Sequence, residues 1–192
     1  MEPPKAVDLG LPSGKLWSDR NIGAMSETEA GLYFAWGETE GYKDANARNA
    51  ALGRSDGFSS DAYNAGDADS ISANLTSDND AAVKNYGGNW RMPTKAECEE
   101  LYNNTNHEWT TINGVTGRKF TNKTDSSKYI FIPAVGIYDG TTLYGSGPYG
   151  YYWSSTFYSS SYAYLLRFNS SGVYTDDYYR YYGFSVRAIQ DN

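Results

Sequence analysis

At 192 residues and net charge −7, with 40% hydrophobic and 20% charged residues, the chain can bury the core of one globular domain and is tight for two. No window approaches 18 consecutive apolar residues, which excludes a membrane-spanning helix, and the acidic balance argues against binding nucleic acid through its phosphates. A single cysteine, Cys98, excludes an intrachain disulfide, so packing must hold the fold.

The N-terminus, Met1-Glu-Pro-Pro-Lys-Ala, lacks the basic-then-apolar order of a secretory signal. Lys15-Leu-Trp17 reads as the first strand and Tyr33-Phe-Ala-Trp36 as the second, both short, aromatic and bounded by turn residues. Between them Ser26-Glu-Thr-Glu29 has the spacing of a capping box. The stretch 41–77 is rich in Ala, Asn, Asp, Ser and Gly, and reads as a long ordered insertion outside the core. A short helix is expected over 79–85, stopped at Gly87-Gly88, where glycine can take the left-handed conformation. Thr94-Lys-Ala-Glu97 is a second capping box, preceded by Pro93 and followed by Cys98 and Leu101, and predicts a helix over 95–103. Strand signals follow at 118–120, 129–132, 150–153, 162–168 and 184–189. The class is α+β, with short antiparallel strands, about two helices and long loops.

Tyrosine is the unusual residue. There are 19, and twelve of them fall between Tyr144 and Tyr182, whereas the last lysine of the chain is Lys128. Tyrosine offers a large amphipathic contact area for two torsions of lost freedom, and Ser, Asn and Asp add adaptable hydrogen bonds, so this tail has the composition of a recognition surface. Neighbouring strand residues face opposite ways, so the pairs Tyr178-Tyr179 and Tyr181-Tyr182 around Arg180 cannot all be core. Asp176 and Asp177 give the patch a negative edge that would select a basic epitope or keep the loop solvated.

Seven spaced blocks carry a family likeness: residues 7–14 (VDLGLPSG), Leu16-Trp17, Asn21-Ile-Gly-Ala24, 33–38 (YFAWGE), 87–94 (GGNWRMPT), Tyr152-Trp-Ser-Ser155 and 183–187 (GFSVR). Together they resemble, in order and over almost the whole chain, the Fibrobacter succinogenes major paralogous domain family. The resemblance implies one domain over 1–192 with a C-type-lectin-like fold, its N- and C-terminal strands paired so that Leu16-Trp17 lies beside 184–189. Some members are variable proteins of diversity-generating retroelements, whose adenine randomisation at AAC or AAT codons cannot yield Lys, Glu, Gln, Met or Trp. None of these five occurs over 156–182. On this likeness Trp153, Ser154, Ser155, Ala163, Leu165, Phe168, Asn169, Ser170, Arg180, Gly183 and Val186 form a fixed frame. The ligand-binding, variable positions within about 144–182 would be Tyr149, Tyr151, Tyr158, Ser159, Ser161, Tyr162, Tyr164, Leu166, Tyr174, Asp176, Asp177, Tyr178, Tyr179, Tyr181 and Tyr182. The expected function is non-enzymatic, receptor-type binding of a protein or glycan on another cell, at a cell or virion surface. The alternative is an undiversified carbohydrate-binding or adhesive module in which tyrosines stack on sugar rings.

Other chemistry is weakly signalled. Formylglycine-generating enzymes share the lectin-like fold and use cysteine with copper, but Cys98 falls inside the 95–103 helix without a partner and reads as a half-buried structural residue. His107 is the only histidine, and no nucleophile motif accompanies it. Neither Glu-Pro-Asn nor Trp-Asn-Asp, the signatures of calcium-dependent sugar-binding lectins, occurs. Residues 64–70 lack the spacing of an EF-hand loop, which leaves Asp67, Asp69, Asp78 and Asp80 as the candidates for a structural calcium. No catalytic residue, metal ligand or cofactor is otherwise expected, nor a nucleic-acid partner or membrane insertion. Trp90, Arg91, Trp153 and Arg187 are expected to build the core and its buried polar network.

Overall fold

The two ends of the chain meet in one sheet. The computed structural model describes residues 1–191. In chain order the elements are β1 (Ala6–Val7), β2 (Leu16–Ser18), α1 (Ala45–Leu52), α2 (Ser60–Asn64), a 3-10 turn (Ala68–Ser70), α3 (Ala81–Tyr86), β3 (Trp90–Arg91) and α4 (Lys95–Asn103). The remaining strands are β4 (Asn106–Ile112), β5 (Val115–Thr121), β6 (Tyr129–Pro133), β7 (Val135–Asp139), β8 (Thr142–Ser146), β9 (Gly150–Phe157), β10 (Tyr162–Phe168), β11 (Val173–Tyr179) and β12 (Ile189–Gln190). Every strand ladder is antiparallel, in the orders β1-β2-β12-β3, β11-β10-β9, β4-β5-β6 and β7-β8, so the class is α+β. Ile189 opposite Trp17 joins the C-terminal strand to the N-terminal one.

The helices show why local signals succeeded or failed. Thr94 Oγ1 accepts from Glu97 N at 3.2 Å and opens α4 as its spacing implied. Glu97 does not close the reciprocal half of the box. It meets the Thr94 hydroxyl at 3.1 Å and Arg91 at 3.0 Å instead. Helix α3 ends at Gly87, whose φ of 68° lets its N–H reach Val83 O at 2.9 Å. The Ser26–Glu29 box starts no helix. Glu29 turns back to accept from Met25 N at 2.7 Å, closing a loop that runs into Gly31 at φ 69°.

Two helices lie in the stretch expected to stand outside the core. Helix α1 is capped by Asp44, which accepts from Ala47 N at 2.7 Å, and α2 by Ser59, which accepts from Ala62 N at 3.0 Å. The described residues therefore form four α-helices where about two were expected. The insertion builds its own core: Ala45, Phe58, Tyr63 and Ala68 are buried with Tyr33, Ala35 and Tyr138. Arg48, also buried, forks onto Glu38, with Nη2 at 2.8 Å from Oε1, and sits over the Phe58 ring. Two expected strands are largely reduced to isolated bridges: Tyr33 pairs with Tyr42 and Phe34 with Phe184, while of 184–189 Ser185 bridges Tyr152 and only Ile189 joins a ladder.

The β9–β10–β11 sheet is covered on both faces at its centre. Trp153, Leu165 and Ala163 join one cluster with Phe34, Trp36, Phe184 and Val186, and Tyr152, Leu166 and Phe168 join another with Trp17, Leu101 and Phe120. Polar ties fix it to the rest of the chain. Trp153 Nε1 donates to Phe34 O at 2.8 Å, Trp36 Nε1 to Ser154 O at 2.9 Å, and the Tyr152 hydroxyl to Pro133 O at 2.6 Å. Arg187 is fully buried and donates to Asn21 Oδ1, Ser18 O and Phe131 O. Trp90 is buried as expected, and Arg91 is half-buried, held by Asp191 and Glu97.

Candidate functional site

Pleat geometry decides which tail residues are frame and which are surface. In the β10–β11 register Leu165 lies opposite Asp176 and Arg167 opposite Tyr174, while Leu166 lies opposite Thr175 and Tyr162 opposite Tyr179. Cross-strand partners share a face, so Tyr151, Arg167, Tyr174, Asp176 and Tyr178 stand on the front and Tyr162, Tyr164, Thr175 and Tyr179 on the back. Arg167 bridges Asp176 at 2.9 Å and its guanidinium lies 5.3 Å from the Tyr151 ring centre. On the back, α4 supplies Glu99, which accepts from Thr175 at 3.1 Å, and Lys95, which lies over the Tyr164 ring at 5.2 Å.

Tyrosine rings connect the two faces in a continuous ribbon. Tyr149 touches Tyr151 at 6.2 Å between centres, Tyr151 touches Tyr178 at 6.1 Å, and Tyr178 touches Tyr182 at 5.1 Å. Tyr182 meets Tyr181 at 4.9 Å and Tyr179 at 5.6 Å; Tyr179 then meets Tyr162 at 4.8 Å. Tyr162 meets Tyr158 at 6.4 Å, and Tyr158 meets Tyr164 at 5.2 Å. These nine rings run from the front of the sheet, around the end of the β10–β11 ladder, onto its back. Their spacings fall in the range where edge-to-face and tilted pairs attract.

Of the fifteen residues expected at the surface, thirteen are exposed or half-buried. Leu166 is a correction. It is 1% exposed and packs in the cluster with Phe168 and Tyr152, because this sheet is buried on both faces and strict alternation fails at its centre. Tyr151 is also buried, at 7% exposure, but one side of its ring lines a cleft. Of the eleven expected frame residues, nine are buried, Asn169 is half-buried and Ser170 is exposed. Asn169 earns its place in the β10–β11 turn by accepting from Ser171 N at 2.8 Å and Gly172 N at 3.1 Å.

Arg180 anchors the end of β11. It is 1% exposed, and its guanidinium donates to the Tyr63 hydroxyl, to Ala68 O and Ile71 O of the insertion, and to Ser159 O and Ser160 O of the β9–β10 loop. It also stacks 4.6 Å from the Trp36 ring. One side chain thus fixes the backbone on which Tyr158, Ser159, Ser161, Tyr179 and Tyr181 are displayed.

The front face carries a cleft of about 440 Å³ between the sheet and the β7–β8 hairpin. Its walls are Ile137, Asp139, Tyr144, Gly145, Tyr149, Tyr151, Tyr178 and Tyr182. Sequence reasoning missed the hairpin half of this wall. The available signal was Gly140-Thr141, a pair with glycine first that suits a two-residue hairpin loop, and Gly140 has φ 59° with Asp139 opposite Thr142. Gly136 lets the hairpin approach: at φ 68°, a Cβ there would meet Tyr144 O at 2.1 Å. Burial, and next the charge of Asp139, push the Tyr182 hydroxyl up, so it is a neutral donor at neutral pH. Two further cavities exist. One of about 480 Å³ is lined by Glu38 and Glu40 together with insertion residues including Arg48, without any tail tyrosine. One of about 280 Å³ lies between α2 and the middle of the ribbon, against Ser161, Tyr179 and Tyr181.

The other singled-out groups lie away from the ribbon. Cys98 is buried in α4, and burial pushes its thiol up, away from thiolate reactivity. His107 meets Arg118 at 3.0 Å; burial, then that charge, lower its pKa and favour the neutral ring. Asp80 accepts from Ala82 N, Val83 N and Met92 N, whereas Asp78 is exposed and faces Lys84 at 3.6 Å. Among the described residues no three His, Cys, Asp or Glu side chains converge as a metal site would require, and no helix is long and apolar enough to cross a membrane.

Comparison with known proteins returns a family model described as "Domain of unknown function (DUF8237)", which matches residues 97–189, a little under half of the chain. That segment runs from α4 to β12 and contains the whole β9–β11 sheet. No curated protein and no solved structure matches the chain.

Proposed function

We propose that the chain is a non-enzymatic ligand-binding protein of C-type-lectin-like architecture, of the kind diversified by retroelements. Its ligand surface is the tyrosine ribbon with the serines and aspartates beside it, and its partner is a protein exposed on another cell or particle. The observation that carries the reading is the ribbon itself: nine contiguous tyrosine rings, all but Tyr151 exposed or half-buried, on a sheet whose centre is buried on both faces. A soluble protein that leaves such a patch open has a use for it, because exposed aromatic area otherwise promotes aggregation. The division of labour fits diversification, since most of the exposed positions bear no packing role and the frame between them is buried. Antiparallel pairing of β2 with β12 agrees with the lectin-like expectation.

Two measurements test this. The coding locus should lie beside a reverse-transcriptase gene and a near-identical template repeat that differs only at adenines within the region for 144–182. A chain with Tyr158, Tyr162 and Tyr179 replaced by serine should keep its fold while losing its partners on a surface-protein array. Undiminished array binding by that folded variant, with no template repeat at the locus, overturns the proposal.

A further inference from the structure

The front cleft has one charged wall residue. Asp139, at the end of β7, is half-buried, and its carboxylate makes no ion pair or hydrogen bond among the described residues. The rest of the lining is Tyr144, Tyr149, Tyr151, Tyr178 and Tyr182 with Ile137 and Gly145. Arg167, on this face of the sheet, is outside the lining and is already neutralised by Asp176 at 2.9 Å. Arg167 nevertheless shows what one of these rings attracts, lying 5.3 Å from the centre of Tyr151.

An aromatic box with a single unpartnered carboxylate is complementary to an organic cation. A cation within about 6 Å of a ring centre gains from the negative π face, and the gain rises as water is excluded. The carboxylate discriminates among cations. A primary ammonium can donate a charge-assisted hydrogen bond to it, whereas a quaternary ammonium has no N–H to donate. A neutral sugar could stack on the rings but would leave the carboxylate facing it without a counter-charge. The alkyl stem of lysine suits the rest of the wall, since such stems bury against apolar surface while the head stays polar. The cleft opens where Tyr144 and Tyr149 are exposed, so an extended side chain can enter from outside.

We propose that this cleft receives a lysine side chain presented by a protein partner, with its stem along Ile137 and the tyrosine rings and its ammonium held by Asp139. The inference rests on the ligand-binding reading and narrows it to a partner with an exposed lysine at the centre of its epitope. The net charge of −7 adds long-range attraction for such a surface.

The test is an NMR titration of the chain carrying ¹³C-labelled tyrosine with Nα-acetyl-lysine N-methylamide, its norleucine counterpart and choline. The lysine compound should shift the Tyr178 and Tyr182 ring signals saturably, and the norleucine compound should not at the same concentration. Asp139→Asn should weaken the lysine compound about tenfold and change choline less than about twofold, with thermal melts confirming that the variant is folded. Tyr178→Leu should weaken both cations. Equal shifts from lysine and norleucine, no shift from either, or choline binding more tightly than lysine each overturns the proposal, the last in favour of a free quaternary ammonium. Tyr158, Tyr162 and Tyr179 lie outside the cleft, so the two readings separate. If their serine variant loses its array partner while the lysine compound shifts nothing, the ligand-binding reading stands and this one falls; if the array also shows no loss, both fall.

Discussion

At the residue scale, the tail shows that composition alone does not assign a side chain to surface or core. Tyr158 is 51% exposed, whereas Tyr178 and Tyr182 are half-buried and lean on Phe184 at 6.1 and 6.3 Å. Tyr158→Ser should therefore cost under about 0.5 kcal/mol, and Tyr182→Ser about 1–2 kcal/mol, in urea denaturation. Equal costs would mean that the ribbon is uniformly exposed or uniformly packed. Arg180 is the opposite case, a buried cation whose five acceptors are all carbonyl or hydroxyl oxygens. Arg180→Ala should cost at least about 3 kcal/mol, because it strands those acceptors, and Arg180→Lys should recover only part, since an ammonium cannot reproduce the planar fork. Hydrogen exchange should then rise at 159–161 and 68–71 together. An Arg180→Ala variant with parental stability would remove the anchoring role. The sequence placed Arg180 correctly within the frame and Leu166 wrongly outside it. One residue carries a polar head that only a built site satisfies; the other is a plain leucine whose face depends on what covers the sheet.

At the scale of elements, legibility followed the strength of local capping. Helices α3 and α4 were readable from Gly87 and from Thr94 with Glu97, whereas α1 hid in an Ala- and Asn-rich stretch of low amphipathic character. Its brackets were present all the same: Asp44 at the N-cap and Gly53, at φ 64°, as the stop. Strands β4 and β11 were missed because their outward residues are polar or tyrosine, and β7 and β8 because the one is buried and the other open along nearly its whole length, so that neither shows a period of two. The terminal sheet has an electrostatic clasp that makes a pH prediction. Hydrogen bonds from Arg91 and Lys15 hold the Asp191 carboxyl down to about 2, against about 3.9 for a free aspartate. A folded-state pKa below the unfolded one contributes stability that is present above about pH 4 and lost as pH falls through about 2. Asp191 is partly exposed, so the contribution should not exceed about 1 kcal/mol, or roughly 2–4 °C. Asp191→Asn should melt lower than the parent at pH 6 and by a clearly smaller margin at pH 2. A gap that persists unchanged at pH 2 would assign the loss to packing and not to the charged clasp.

At the scale of the molecule, stability and display occupy different atoms of the same sheet. Ala163, Leu165, Leu166 and Phe168 of β10 are buried, Trp153 and Tyr152 of β9 flank them, and Arg180 locks the far end. Between these fixed points stand Tyr158, Ser159, Ser161, Tyr162, Tyr164, Tyr174, Asp176, Asp177 and Tyr179, none of them fully buried. Much of this division was legible, since the expected frame is almost wholly buried. The cleft was not, because its wall comes half from a hairpin that only the tertiary fold brings against the tyrosines. A segment exchange follows as a prediction. Replacing the nine display residues with those of a relative, while keeping Ala163, Leu165, Leu166, Phe168 and Arg180, should shift the melting temperature by under about 5 °C, because each exposed change costs little and no packed atom moves. Ligand preference on a protein array should travel with the exchanged residues. Pre-organisation is the physical reason: a backbone already ordered by its core demands no new ordering for each new set of contacts. The reciprocal exchange gives the control, since a preference carried by stacking platforms alone would survive any swap that retained the tyrosines. Preference that stays with residues 1–143 in both chimeras, with both folded, would mean that the tail decorates a site located elsewhere.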